Sequence, residues 1–390
     1  MTNLLKNYYF KETYGIEQWL FILDYLYIIL IKSYYSDFMD NVEKSLNFIR
    51  NKIINQDREI NHLREELDKR EKYIESLPQL SQTYIGRSTS DGKITYRNWW
   101  STPNEFYGFC DSIWFTHFLK HYFPDVDYKI NMFSIFGNHY NIKDSMDGKK
   151  VFFSGENLNY RFTHFNKNFG RYALDYVDLA LGSDLIDHPK YLRFPLWILY
   201  CFFPTLSDED IENRINNWHE SNYEKTEDIC AIASHDDWGT RKLIINDIED
   251  LVDITYAGSW RNNSSDLWVK YGDNKLEFLK NYKFNICPEN LLDTGYVTEK
   301  IFDCLRCNTI PLYAGGKNYL EPKVLNHNAI LCWYDDKDNS DTVELFKNLI
   351  DDKKSYDEFK DQNLLLDGAS KYVIKKFREL EKHFERLIYD

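Results

Sequence analysis

The sequence predicts an α/β protein built on parallel sheets and preceded by a helical stem. Three observations carry that prediction. Within residues 282–316 an apolar run, a turn-prone stretch, an amphipathic segment and a second apolar run follow one another, the order of a βαβ unit. Across residues 93–200, and again from Asp228 to Tyr256, short apolar runs break repeatedly into Gly, Asn and acidic residues, as strand ends at a functional edge do. Residues 1–80, by contrast, keep a helical period almost throughout.

In the stem, Leu46, Ile53, Ile60, Leu67 and Ile74 fall at heptad a positions, with Ile49 and Leu63 at d. Gln56 and Arg70 at d would fix the register at some loss of stability. The 42–77 heptads predict a homo-oligomeric coiled coil, dimer or trimer; a long helix folded onto its own catalytic domain fits the same pattern. Pro78 ends it. The most apolar run, residues 19–31, contains Asp24 and is shorter than the roughly 20 uncharged residues that a membrane span needs. With no signal peptide in view, the expectation is a cytoplasmic chain without a membrane span.

Residues 81–95 are polar and turn-rich, a linker. Strands are expected at 93–100, 128–136, 149–153 and 176–181, with a helix at 113–121. The aromatic, then charged, stretch 199–226 links this domain to the next. There, strands are expected at 229–233, 251–256, 282–287 and 309–313, with a helix from Arg241 to Asp250. Val297, Ile301 and Leu305 share one face of a further helix, which Asn308 can stop. Residues 369–387 form a charged helical tail.

Ligands of such sheets bind beyond the carboxyl ends of the strands. That edge carries Glu289, Asn290, Tyr296, Thr298, Glu299 and Lys300. The helix start offers free N–H groups and a positive dipole end, both suited to a phosphate. On spacing alone, an ordinary βαβ unit with a solvated Glu-Lys pair fits as well.

A net charge of −14 argues against nucleic acid and anionic membrane surfaces as partners. The seven Cys are scattered and odd in number, which excludes a disulfide framework. Cys304 and Cys307 form a CxxC without the second pair that a zinc site needs.

The residues themselves go further. FNxCxEN…GYVTEKIxDxxxxxTIPxYxG resembles the donor-binding motif of the α-1,3/4-fucosyltransferases of glycosyltransferase family 10, bacterial branch. Pro288 stands where that family usually has Phe. NWW, FGN, FFSGEN and YLRFPLW resemble further segments in the same order, so the likeness spans residues 93–366. It implies two Rossmann-like domains facing a cleft (the glycosyltransferase B architecture), at 93–200 and 227–368, with residues 369–390 crossing back. It also implies transfer of L-fucose from GDP-fucose to a glycan acceptor.

Inverting sugar transfer requires a base for the attacking hydroxyl and positive charge for the departing diphosphate. Asp125-Val126-Asp127 and Asp208-Glu209-Asp210 have the form of a metal-binding Asp-x-Asp, yet neither ends a strand. No metal or other cofactor is therefore expected, and cationic side chains must serve. Matched to the family motif, these are Arg241 and Lys300, with Arg261 a weaker third. The base implied is Glu156 in SGEN; Asp184, which also follows an expected strand, is the runner-up by position. Tyr296, Glu299, Thr298, Glu289, Asn290 and Ser234 complete the donor site; His235 replaces a common Asn. A transferase for another nucleotide sugar, or an assembly protein with a degenerate catalytic module, are the competing readings.

Overall fold

The computed structural model describes Arg50 and residues 93–97, 99, 113–135, 142, 147–158, 169–220 and 223–390. The chain divides into two compact units, Met1–Gln82 and Thr83–Asp390. The expected stem, its heptads and the oligomer drawn from them lie outside the described residues, as does the apolar run at 19–31. The second unit holds two five-stranded sheets.

Its first sheet comprises β1 (Ile94–Arg97), β2 (Ile130–Phe133), β3 (Lys149–Phe153), β4 (Leu179–Gly182) and β5 (Tyr191–Arg193), every neighbouring pair parallel. β2 and β4 are buried at every position, as parallel strands covered on both faces must be. Helix α1 (Ile113–Tyr122) connects β1 to β2. The strands lie in chain order with no reversal.

The second sheet comprises β6 (Glu227–Ala231), β7 (Thr255–Tyr256), β8 (Tyr282–Ile286), β9 (Ile310–Tyr313) and β10 (Leu331–Cys332), again all parallel. Its order, β10-β9-β8-β6-β7, reverses between β6 and β8. From β6 the chain first goes to one side and then returns to the other, which opens a crevice beyond the carboxyl ends of those two strands. Among the described strands, only this sheet has the switch point of a doubly wound fold.

The residues expected to link the domains form α2 (Leu196–Cys201) and α3 (Asp208–Glu220), and both enter a core shared by the two sheets. Trp197 of α2 stacks on Phe302, its ring centroid 4.2 Å away, and Phe302 lies beyond β8 in the second half. The final helix, α7 (Ala369–Tyr389), buries Val373, Phe377, Leu380, Phe384 and Leu387, an i, i+4, i+7 stripe. Phe377 and Phe384 meet Trp114, Phe115 and Phe118 of α1, so the chain's end packs on the first sheet's side. Asp208-Glu209-Asp210 is the first turn of α3: Asp210 accepts from the Ser207 hydroxyl at 2.6 Å, and its N–H returns to that oxygen. That triplet is therefore a helix cap. Among the described residues no helix is long and apolar enough to cross a membrane.

Candidate active site

Two helices deliver the cations to the switch point. Helix α4 (Thr240–Ile248) follows β6, and Asp236 caps it, accepting from the Arg241 and Lys242 N–H groups at 3.0 and 3.1 Å. The Arg241 guanidinium folds back between Asp236, 3.7 Å away, and the Asn290 amide oxygen, 3.1 Å away. Helix α6 (Glu299–Arg306) follows β8, with Lys300 in its first turn. Arg241 and Lys300 line one small cavity with Pro288, Cys287 and Lys275. Lys275 begins α5 (Lys275–Leu279).

Glu289 organises this edge from within. It is fully buried, and one oxygen accepts from the Thr298 N–H at 2.7 Å and the Tyr313 hydroxyl at 3.0 Å. The other accepts from the Thr298 hydroxyl at 2.7 Å and the Lys300 ammonium at 3.1 Å. The sequence placed Glu289 and Thr298 among donor contacts; both face inward instead, as a brace that fixes the start of α6 and aims Lys300. Their polar groups are satisfied by each other, as burial demands. Burial works against the charge on Lys300, but Glu289 and Glu299 more than offset it and hold the ammonium firmly protonated. Burial likewise raises the Glu299 carboxyl, and Lys300 with Lys275 outweighs that, so the net shift is downward.

Glu156 comes from the other sheet. β3 ends at Phe153, and Ser154 caps the turn: its hydroxyl donates to the Glu156 carbonyl at 2.9 Å and accepts from the Glu156 N–H at 3.1 Å. This turn meets the loop before α6. The Tyr296 hydroxyl donates to Glu156 Oε2 at 3.4 Å, and the Asn157 amide donates to Asp293 at 3.2 Å. Burial raises the Glu156 carboxyl above its ordinary range; Lys300 opposes this and Glu299 adds to it. A carboxylate raised in this way takes up a proton more readily than a free one, as a general base must.

Of the predicted set, Glu156, Tyr296, Glu299, Lys300, Arg241 and Asn290 gather at the junction of the two sheets. Ser234 is exposed at the end of β6, where its carbonyl accepts from Ser259. His235 is exposed beside Asp237 at 3.2 Å, and Arg261 lies outside, against Trp260 and Glu249. Asp184, the runner-up base, is buried, and its carbonyl accepts from Tyr191. Sequence reasoning missed Asp236, Asp293, Tyr313 and Lys275. Only Asp236, an acidic residue just ahead of a helix, carried a readable cap signal.

Residues 222–367 match the family description "Glycosyltransferase family 10 (fucosyltransferase) C-term", and residues 94–200 match "Alpha-(1,3)-fucosyltransferase FucT N-terminal domain". The chain is 28% identical to the α-(1,3)-fucosyltransferase FucT of Helicobacter pylori over 353 residues, 81% of this chain and 69% of that protein. It is 26% identical to the α-(1,3)-fucosyltransferase B of Drosophila melanogaster over 207 residues, 52% of this chain and 44% of the fly protein. A crystal structure of α1,3-fucosyltransferase with GDP-fucose shares the fold at a TM-score of 0.54 and 24% identity, covering 79% of this chain and 96% of that one. A crystal structure of α1,3-fucosyltransferase aligns at a TM-score of 0.51 and 25% identity, over 76% and 93% of the two chains.

Proposed function

Since the chain belongs to glycosyltransferase family 10, the fucosyltransferases, we propose that it transfers L-fucose from GDP-fucose to a hydroxyl of an N-acetylglucosamine-containing glycan, with inversion and α-1,3 linkage. One observation carries the reading. The carboxylate of Glu156, from the first sheet, meets Tyr296 beside the helix start that carries Lys300.

Glu156 takes the proton of the attacking acceptor hydroxyl. Arg241 and Lys300, at the carboxyl ends of β6 and β8, take up the charge of the departing GDP. Asn290 orients Arg241, while Tyr296 and Glu299 hold donor hydroxyls. Two fixed cations supply the counter-charge that a metal would otherwise bring, so turnover needs no divalent ion. Its raised carboxyl means that Glu156 ionises, and activity rises, above the ordinary carboxylate range.

The test is transfer from GDP-fucose, GDP-mannose and UDP-sugars to a panel of N-acetylglucosamine-containing glycans, with and without EDTA. Fucosylated product from GDP-fucose, at an EDTA-insensitive rate, is expected. Turnover of a UDP-sugar alone, or loss of activity in EDTA, would overturn the reading.

A further inference from the structure

The loop that presents Tyr296 to Glu156 is gripped by one side chain of the first sheet. Arg193 ends β5, and each of its five N–H donors has an acceptor. Nε donates to the Ser183 carbonyl at 2.8 Å. One terminal nitrogen donates to Glu321 Oε2 at 3.2 Å and the Tyr372 hydroxyl at 3.1 Å. The other donates to Glu321 Oε1 at 2.7 Å and the Gly295 carbonyl at 3.0 Å. Trp197 Nε1 donates to the same Glu321 oxygen at 2.9 Å. One cation thus ties the end of β4, the loop before α6, the segment after β9 and the C-terminal helix.

Gly295 immediately precedes Tyr296 and has a left-handed φ of 72°, which glycine adopts freely. A Cβ there would sit 3.4 Å from the Ser183 carbonyl oxygen, in ordinary contact, so the loop lies alongside the end of β4. Fixing the Gly295 carbonyl therefore fixes where the next side chain starts.

We propose that Arg193 is a positioning residue for sugar transfer: through the Gly295 carbonyl it sets the Tyr296 hydroxyl against Glu156. This rests on the reading of Glu156 as the base. The groups acting on that carboxyl are Tyr296 from the loop, Lys300 and Glu299 from α6, and Glu289 from the end of β8. Burial raises Glu156, whereas Lys300 and the Tyr296 hydrogen bond lower it. A Tyr296 set adrift leaves Glu156 harder to ionise, so the acid limb of activity moves to higher pH.

The experiment compares Arg193→Lys, Tyr296→Phe and the double variant of the full chain, reading kcat, kcat/KM against pH, and Tm. Arg193→Lys is expected to lower kcat by about 10- to 100-fold, the cost of a roughly 1 Å misplacement. Its acid limb should move upward as that of Tyr296→Phe does, and in the Tyr296→Phe background Arg193→Lys should add little. An unmoved acid limb, with effects that multiply in the double variant, would make Arg193 a structural clamp only and overturn the proposal. Should Arg193→Lys not fold, Arg193→Met with Glu321→Met removes both charges together and gives the same readings. Glu156→Gln separates the premise: if it keeps normal turnover the base assignment falls, whatever the cycle shows.

Discussion

On the second sheet's side of the site, each charge near the cavity lies against a partner: Lys300 on Glu289, Arg241 on Asp236 and Asn290, Asp303 between Lys275 and Arg306. The first sheet brings Glu156, a partly buried residue whose carboxylate receives a long 3.4 Å hydrogen bond and whose proton affinity burial raises. Under the proposed reaction the two sides solve different problems. A leaving diphosphate needs cations that stay charged and stay put, and a hydrogen-bonded ion pair such as Lys300 with the buried Glu289 provides that. A base must give up its charge easily, and desolvation without strong compensation provides that. Pairing keeps a charge fixed; burial makes one movable.

Substitutions can break or sharpen this contrast. The largest effect is expected at Glu156→Gln, which should lower kcat by about 10²- to 10⁴-fold while GDP-fucose still binds in calorimetry; lost donor binding would move Glu156 out of the base role. Lys300→Ala should cost about 10²- to 10³-fold in kcat with the fold intact by circular dichroism. Near-normal turnover would mean that the paired side does not carry the leaving group.

A subtler test is thermal. The folded-state pKa of Glu156 is raised, so its contribution to stability is present at low pH and is lost as pH rises through that value. Glu156→Gln should therefore raise Tm above that of the unmodified protein at pH 8, with the gap closing toward pH 4. A constant gap would show that desolvation is not what perturbs this carboxyl. The smallest effect belongs to Arg378→Ala. Its 2.8 Å pair with Asp208 joins two half-exposed side chains, so the loss should stay below about 1 kcal/mol in urea unfolding.

Several features were legible in the sequence because they are local. The 149–153 run is β3 to the residue, and the Val297, Ile301, Leu305 face is buried as its spacing requires. The match of FNxCxEN…GYVTEK to family 10 holds over both halves of the described chain. Less local features were misread or missed. Residues 199–226 read as an aromatic, then charged, link between domains; that Ile211, Ile215 and Trp218 of α3 are buried in the shared core was not legible, since its outer face is polar. Glu289 looked like a ligand-facing acid because a motif shows neighbours in sequence, not which way a side chain turns. Its partner Tyr313 is 24 positions away. Arg193 stood in plain view in YLRFPLW, but Gly295, Glu321 and Tyr372, at separations of 102, 128 and 179, could not be assigned to it.

By itself the sequence determined the parallel α/β class, the family and the residue types at the site, since apolar periodicity and a long motif are written in neighbouring positions. Only the tertiary structure decided that the second sheet reverses its order where Arg241 and Lys300 line one cavity. It also decided that Glu289 braces from inside, and that Glu156 reaches Tyr296 across 140 positions of chain. The reason is physical: the environment that sets a carboxylate's charge, whether partner, water or burial, is assembled from distant segments only when the two sheets close on a common core.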